Sequence, residues 1–368
     1  MKIVQVQTQA TAAGAQRISD MVGEGLRARG HRVRTVFLYR LSDVYDADPH
    51  ADFLLDHTPR NVLEQAHAVI RLFGYMRREK PDGVLTFQHY GNLFGSIAAR
   101  LAAGNKIIAN QSGAPHRKGV LGMLAKVDRW MGTVGFYDAN VVNSEWTERQ
   151  FASYPRAYRE RLRRIDHGVP QCEARLSKAE ARARFELPEG VPLIVTTGRV
   201  TRQKNQVVML RALVQMPDAH LAIAGIGAAE AELGSEARTL GVSNRLHMVG
   251  ELAPDEIYPF LAAGDVFAFG SLTETFGLSV VEAAIAGLPI VTNDLPVLRE
   301  VLSLNGQSAA VFADATDADR FGAAIVDLLR DPGRAATLTK VGREIAVRYR
   351  PEAMCAAYEA VLNDFPVS

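Results

Sequence analysis

Little in this 368-residue chain points to a scaffold held by disulfides or metal. It has two cysteines, Cys172 and Cys355. Two cannot build the framework of a small disulfide-rich secreted domain, and no C-x-x-C or clustered His/Cys spacing of a zinc site accompanies them. No apolar run approaches the roughly 20 residues that a membrane-crossing helix needs. The chain opens on K-I-V-Q-V-Q, without the charged-then-apolar pattern of a secretory leader. Asp43, Asp46, Asp48, Asp52 and Asp56 crowd one polar stretch, but their spacing fits no EF-hand. The first strand–helix turn lacks the glycine pattern of a dinucleotide oxidoreductase. These absences lead to the expectation of a cytoplasmic globular protein with no bound metal and no nucleic-acid partner.

What is present fits two α/β domains. The length gives each its own core, and 48% apolar with 23% charged residues is ordinary for a globular chain. The net charge of +1 hides an asymmetry. Residues 1–170 carry 24 lysines and arginines against 16 acidic residues, and the remainder 18 against 25. A basic half facing an acidic half suggests that the first half meets something anionic: a membrane surface, a phosphate-bearing acceptor, or the other half of the molecule.

The stretch from Ser271 to Val291, S-L-T-E-T-F-G-L-S-V-V-E-A-A-I-A-G-L-P-I-V, organises the second half. A short buried strand, Asp265–Phe269, precedes it, and Pro289–Thr292 reads as another. Between them Phe276, Val280, Val281, Ala284 and Ile285 recur at helical spacing. Gly287 and Pro289 stop that helix. The unit is strand, loop, helix, strand, as in a parallel sheet. Ligands bind at the carboxyl rim of such sheets, where Glu274 would lie. Free backbone N–H groups of Thr275, Phe276, Gly277 and Leu278 would suit a phosphate there. Taken alone, Glu274 could be a helix-start acid and Glu282 a solvated helix residue.

The run T-E-T-F-G-L-x-x-x-E-A-x-x-x-G-L-P-I-V resembles the E-x7-E motif of the retaining family-4 glycosyltransferases. The resemblance implies a GT-B fold: two Rossmann-like domains facing a cleft. It gives Glu274 hydroxyls of a donor sugar and Glu282 the nucleotide ribose. Arg199 and Lys204, in Gly198-Arg199-Val200-Thr201-Arg202-Gln203-Lys204, match the pair that meets the donor diphosphate in that family. Two fixed cations can neutralise a departing diphosphate without a divalent metal. The resemblance also places Gly14 near the donor, though the family's first glycine is Ala13 here. Val249 falls to the base pocket. The family's rim histidine aligns with Ser112, and His116 and His89 are the nearby substitutes for sugar or acceptor contact. Val169 and Pro170 end a segment like the family's N-G-V, with His167 in place of asparagine. Gly225-x-Gly227 stands where the family has a turn of this kind; it falls short of a dinucleotide motif by ending in Glu230.

The domain expectation is then 1–170 for the acceptor side, 171–348 for the nucleotide sugar, and 349–368 as a helix packing back on the first domain. In the first half, Met1–Val6, Arg32–Phe37, Pro81–Phe87, Lys106–Asn110 and Ala139–Asn143 read as strands. Helices are expected over 16–29, 61–79, 92–103 and 119–135. Residues 41–60 read as a surface loop with short helical pieces, and Arg156–Arg164 as a solvated basic face or a contact for anionic lipid or acceptor phosphate. The function implied is transfer of a sugar from a UDP- or GDP-sugar, with retention, to a glycan or lipid-linked hydroxyl acceptor in cell-surface polysaccharide, lipopolysaccharide or glycolipid assembly. No cofactor is expected besides that donor. A sugar-nucleotide 2-epimerase of the same fold, or a non-catalytic subunit that kept the donor cleft, are the alternatives.

Overall fold

The computed structural model describes residues 1–11, 14–103, 106–111, 113, 119–172 and 176–364. The chain divides into two units. One comprises Met1–Gly168 together with the segment from Pro351 onward, the other Val169–Arg350.

The first unit is built on seven strands: β1 Lys2–Ala10, β2 Arg32–Arg40, β3 Ala51–Phe53, β4 Gly83–Phe87, β5 Lys106–Asn110, β6 Ala139–Val142 and β7 Leu162–Arg164. Their order is β3-β2-β1-β4-β5-β6-β7, every pair parallel. Central strands such as β4 and β5 are buried along nearly their whole length, as expected where helices cover both faces. β1 runs four residues beyond the expected Val6, because Gln9 and Ala10 pair with Tyr39 and Arg40.

Three elements differ from the expectation. β3 lies inside the polar stretch read as a loop. Its Asp52 takes two hydrogen bonds from Arg34, at 2.7 and 2.6 Å, and a third from Tyr75 at 2.6 Å. An aspartate so satisfied can sit in an edge strand, which composition alone does not reveal. The helix expected from Asn92 begins instead as a π-helical turn, Gly91–Gly95, before the α-helix Ser96–Ala103. β7 falls in the basic run, so Arg163 and Arg164 belong to an edge strand.

The C-terminal helix Pro351–Asn363 completes this unit. It packs on the helix Gly14–Ala28, where Gly25 leaves room for Cys355: a Cβ at position 25 would lie 2.1 Å from the Cys355 sulfur. Tyr358, fully buried, donates to Asn110 Oδ1 at 2.5 Å. The helix begins at Pro351 rather than Tyr349. Tyr349 stays with the second unit, donating to the Val301 carbonyl at 3.1 Å, while its own carbonyl accepts from Val169 N–H at 2.7 Å.

The second unit has β8 Leu193–Thr197, β9 His220–Ala224, β10 Leu246–Gly250, β11 Val266–Phe269, β12 Ile290–Asn293 and a last strand, Ala310–Ala313. They form one parallel sheet in the order β10-β9-β8-β11-β12 and the last strand. Arg182, on the helix Lys178–Arg184, is buried beneath this sheet's amino end. It donates to the carbonyls of Ala263, Pro188 and Val191 and to Asp265 Oδ2 at 2.8 Å. Asp265 in turn accepts from Leu193 N–H at 2.7 Å, so one ion pair ties the starts of β8 and β11 together.

Candidate functional site

The strand order of the second sheet puts β8 beside β11, so the loops leaving their carboxyl ends are neighbours. Hydrogen bonds stitch those loops together. Leu272 N–H donates to the Gln203 carbonyl at 2.8 Å, and Gln203 Nε2 to the Thr273 carbonyl at 2.9 Å. Arg199, Lys204 and Glu274 are thereby held on one rim. Lys204 Nζ meets Glu274 Oε1 at 2.6 Å and lies 5.0 Å from the centre of the Phe269 ring. Both partners are shielded, with side chains 18% and 10% exposed. Such a pair is screened far less than a surface one. Arg199 is exposed, and among the described residues its guanidinium has no carboxylate partner.

The helix that follows runs from Leu278 to Ala286. Gly277 starts it with φ 88°, in the left-handed region where a side chain is strained, and a Cβ there would lie 2.8 Å from Leu298 Cδ2. Gly287 ends it with φ 78°. The backbone N–H groups of Leu278 and Ser279 stand at the open end, where a helix has no acceptor of its own. Gly198 faces the same place: a Cβ on it would be 3.9 Å from Lys204 Cε and 4.0 Å from Ser279 Oγ. Its φ of 134° suits glycine. Lys204, a helix N-terminus and a bare glycine thus converge on one spot, with Arg199 on the same loop, an arrangement suited to phosphate oxygens. Glu282 is buried in the second turn of this helix. Phe276 is buried edge-on against Tyr349, with ring centres 5.1 Å apart, so its side chain anchors the loop. Val249 is half-buried in β10, two strands away from β8.

Gly225 and Gly227 serve the scaffold. The loops after β8 and β9 are zipped backbone to backbone, by Gly198 N–H to Ala224 O, Val200 N–H to Ile226 O and Ala229 N–H to Val200 O. A Cβ on Gly225 would lie 2.1 Å from the Gly198 carbonyl oxygen, and one on Gly227 2.2 Å from that of Val200. The close neighbour these glycines admit is protein backbone.

Three positioning residues escape a reading by motif. Asn205, with φ 51°, donates to the carbonyls of Gly270 and Ala315 at 3.2 and 2.9 Å. Gln206 donates to the Arg199 carbonyl at 2.9 Å. Asn293 donates to the Ser271 carbonyl and accepts from Ala315 N–H. Together they fix the two loops that carry the charged groups. Asn205 and Gln206 directly follow Lys204, and polar residues closing a helix-start loop are the one signal that could have marked them.

In the first unit, Gly14 is exposed at the first position of its helix, and His89 is half-buried just past β4. Beside His89, Gln88 adopts φ 64° and accepts from Thr8 N–H at 3.1 Å, while Thr8 Oγ1 accepts from Gly91 N–H at 3.1 Å. These bonds lock the β1 and β4 rims together. Ser112 and His116 lie outside the described residues.

Comparison with known proteins matches residues 177–345 to the family model "Glycosyl transferases group 1". The chain is 32% identical over 273 residues to a GDP-mannose-dependent alpha-(1-6)-phosphatidylinositol monomannoside mannosyltransferase of Mycolicibacterium smegmatis, a match covering 69% of each chain. It is 29% identical over 186 residues to the lipopolysaccharide core biosynthesis glycosyltransferase LpsE of Rhizobium meliloti, covering 50% of this chain and 54% of that one. Among solved structures, HepE of Anabaena in complex with UDP and glucose superimposes with a TM-score of 0.86 at 18% identity, over 99% of this chain and 100% of the other. Sucrose-phosphate synthase from Thermosynechococcus elongatus gives 0.84 at 20% identity, over 99% and 98%. At such identities these two structures establish the fold, which is GT-B.

Proposed function

The chain belongs to the glycosyl transferases group 1 family, and from that premise we propose that it moves a sugar from a UDP- or GDP-sugar to a hydroxyl acceptor in glycolipid, lipopolysaccharide or polysaccharide assembly. The convergence of Lys204, Gly198 and the N-terminus of the Leu278–Ala286 helix carries the reading. Arg199 and Lys204 neutralise the donor diphosphate as it departs, and the amide hydrogens at the helix start share its oxygens. Glu274 accepts hydrogen bonds from the donor sugar's hydroxyls, and Glu282 from the ribose.

The reaction proceeds with retention and without a metal. The leaving diphosphate takes the proton of the incoming hydroxyl on the same face of the sugar, so the protein supplies position and charge more than acid–base chemistry. Sugar-nucleotide chemistry in named relatives supports the donor class: GDP-mannose in one, UDP with glucose in another. The first unit presents the acceptor. The basic excess of residues 1–170 suits an anionic acceptor and a peripheral seat on an anionic membrane.

Thermal shift against UDP- and GDP-sugars, followed by mass analysis of turnover with and without acceptor, tests this. One donor series is expected to raise the melting temperature and the other not. Interconversion of sugar nucleotides without acceptor would make the enzyme an epimerase, and no shift with any nucleotide sugar would remove the donor site.

A further inference from the structure

The first strand carries an alternation at odds with its place. β1 reads K-I-V-Q-V-Q-T-Q-A, the pattern of a strand with one face in water. The sheet order instead sets it between β2 and β4, buried along most of its length. Val4 and Val6 join the hydrocarbon core on one side. Gln5, Gln7 and Gln9 point together to the other, beneath the helix Gly14–Ala28.

Two of these glutamines are met there. Gln5 Nε2 donates to the Ser19 carbonyl at 2.9 Å, and its Oε1 accepts from Thr35 Oγ1 at 3.0 Å. Gly23 leaves room for it, since a Cβ there would lie 2.7 Å from that oxygen. Gln9 Oε1 accepts from Tyr39 at 2.9 Å, and the Gln9 backbone carbonyl from Gln16 Nε2 at 3.1 Å. Gln7 stands between them, fully buried, and neither polar atom of its carboxamide has a partner among the described residues. Its neighbour on β2 is Phe37, whose side chain offers only hydrocarbon.

The helix above has matching groups. Gln16 and Ser19 are three residues apart and so share a face, and their bonds to Gln9 and Gln5 bracket Gln7. Gln16 Oε1 and Ser19 Oγ are also buried without partners. Polar groups left dry in this way cost a desolvation penalty that no bond returns. Together they offer an amide donor, a hydroxyl and two carbonyl oxygens. A water molecule, with two donors and two acceptors, completes that set, and none of the four atoms is ionised.

We propose that the seam between β1 and the helix Gly14–Ala28 binds internal water on Gln7, Gln16 and Ser19. Val22 and Leu26 seat the carboxyl half of the helix on hydrocarbon, whereas the amino half, apart from Ile18, rests on this wet seam. Water trades partners without a fixed direction, so the amino half can shift over the sheet where the carboxyl half cannot. Gly14 heads that half. Linking the shift to donor binding rests on the transferase reading above; the water site does not.

A crystal structure of the nucleotide-free chain, at a resolution that shows water, tests the site. Density within hydrogen-bonding distance of the Gln7 carboxamide and of Gln16 or Ser19 is expected. A seam without it, or a Gln7 side chain turned onto a protein partner, overturns the proposal. In solution, Gln7→Met keeps the length of the side chain and removes its amide, and Ser19→Ala removes the hydroxyl. Each is expected to lower the melting temperature, and the double variant to melt close to Gln7→Met, because the water is already lost. A Gln7→Met protein that melts above its parent, as removal of a dry orphan would give, overturns the water. Losses that simply add overturn its sharing. Amide hydrogens of residues 18–21 are expected to exchange at least about tenfold faster than those of residues 23–26, and equal protection overturns the soft seat. A protein with water in the seam that responds to no nucleotide sugar keeps the site and loses the transferase reading.

Discussion

Lys204 and Glu274 are each suited to a ligand, yet they hold each other at 2.6 Å in a shielded corner. The carboxylate fixes the direction of a flexible four-carbon chain, and the Phe269 ring supports the ammonium from another side. A donor diphosphate would meet an ammonium already in place, so its worth is greatest where phosphate charge increases, in the transition state. Lys204→Ala is therefore expected to lower the single-turnover rate by roughly 10²–10³-fold while donor affinity falls much less. Equal losses in both would make Lys204 a binding residue only. Arg199, exposed on the same loop, has no comparable anchor and is expected to act more on affinity.

At the scale of elements, the second sheet's rim is a set of loops tied to one another before any ligand arrives. Gly227 tests this. Its substitution by alanine would drive a methyl group to about 2.2 Å from the Val200 carbonyl, so the zipped loops must part. Gly227→Ala is expected to destabilise the nucleotide-free protein by roughly 1–3 kcal/mol, as overpacking does, measured by urea unfolding. A variant that unfolds like the parent and only binds nucleotide poorly would return this glycine to the ligand.

Sequence patterning made the central unit legible. The helix of the E-x7-E stretch begins after Gly277 and ends at Gly287 because both glycines must take positive φ, and the apolar spacing marks its buried face. The polar elements escaped such a reading. β3 is carried by an aspartate whose two partners, Arg34 and Tyr75, are remote in sequence, and the π turn at Gly91–Gly95 follows from packing of Gly95 on Val6 and Thr86. Local propensity contains neither contact. The same holds for Asn205 and Asn293, whose roles exist only once two loops have met.

Across the whole molecule, acid is expected to weaken the fold through its histidines. Burial holds His167 down at about 4 from the ordinary 6.5. His220 and His247, stacked with nitrogens 2.9 Å apart, are lowered too, chiefly by burial. Between about 4 and 6.5 His167 binds more protons in the unfolded chain than in the folded one, so, against the opposite pull of Asp20, which burial pushes up to about 6, its contribution to stability rises with pH across that window. The contribution is complete above it. As pH is lowered from 7, His167→Asn is expected to lose less melting temperature than the parent does. Parallel curves for the two proteins would mean that His167 is not one of the groups responsible.

The helix Pro351–Asn363 closes the unit that the first 168 residues begin. A ribosome making this chain therefore releases seven strands whose last covering helix will not exist until some 180 further residues have been translated. The later-made unit can finish folding first. During that interval Gly25 and Asn110 wait for partners still to be synthesised, and the nascent protein's exposure to chaperones is set by the distance along the message between its two ends.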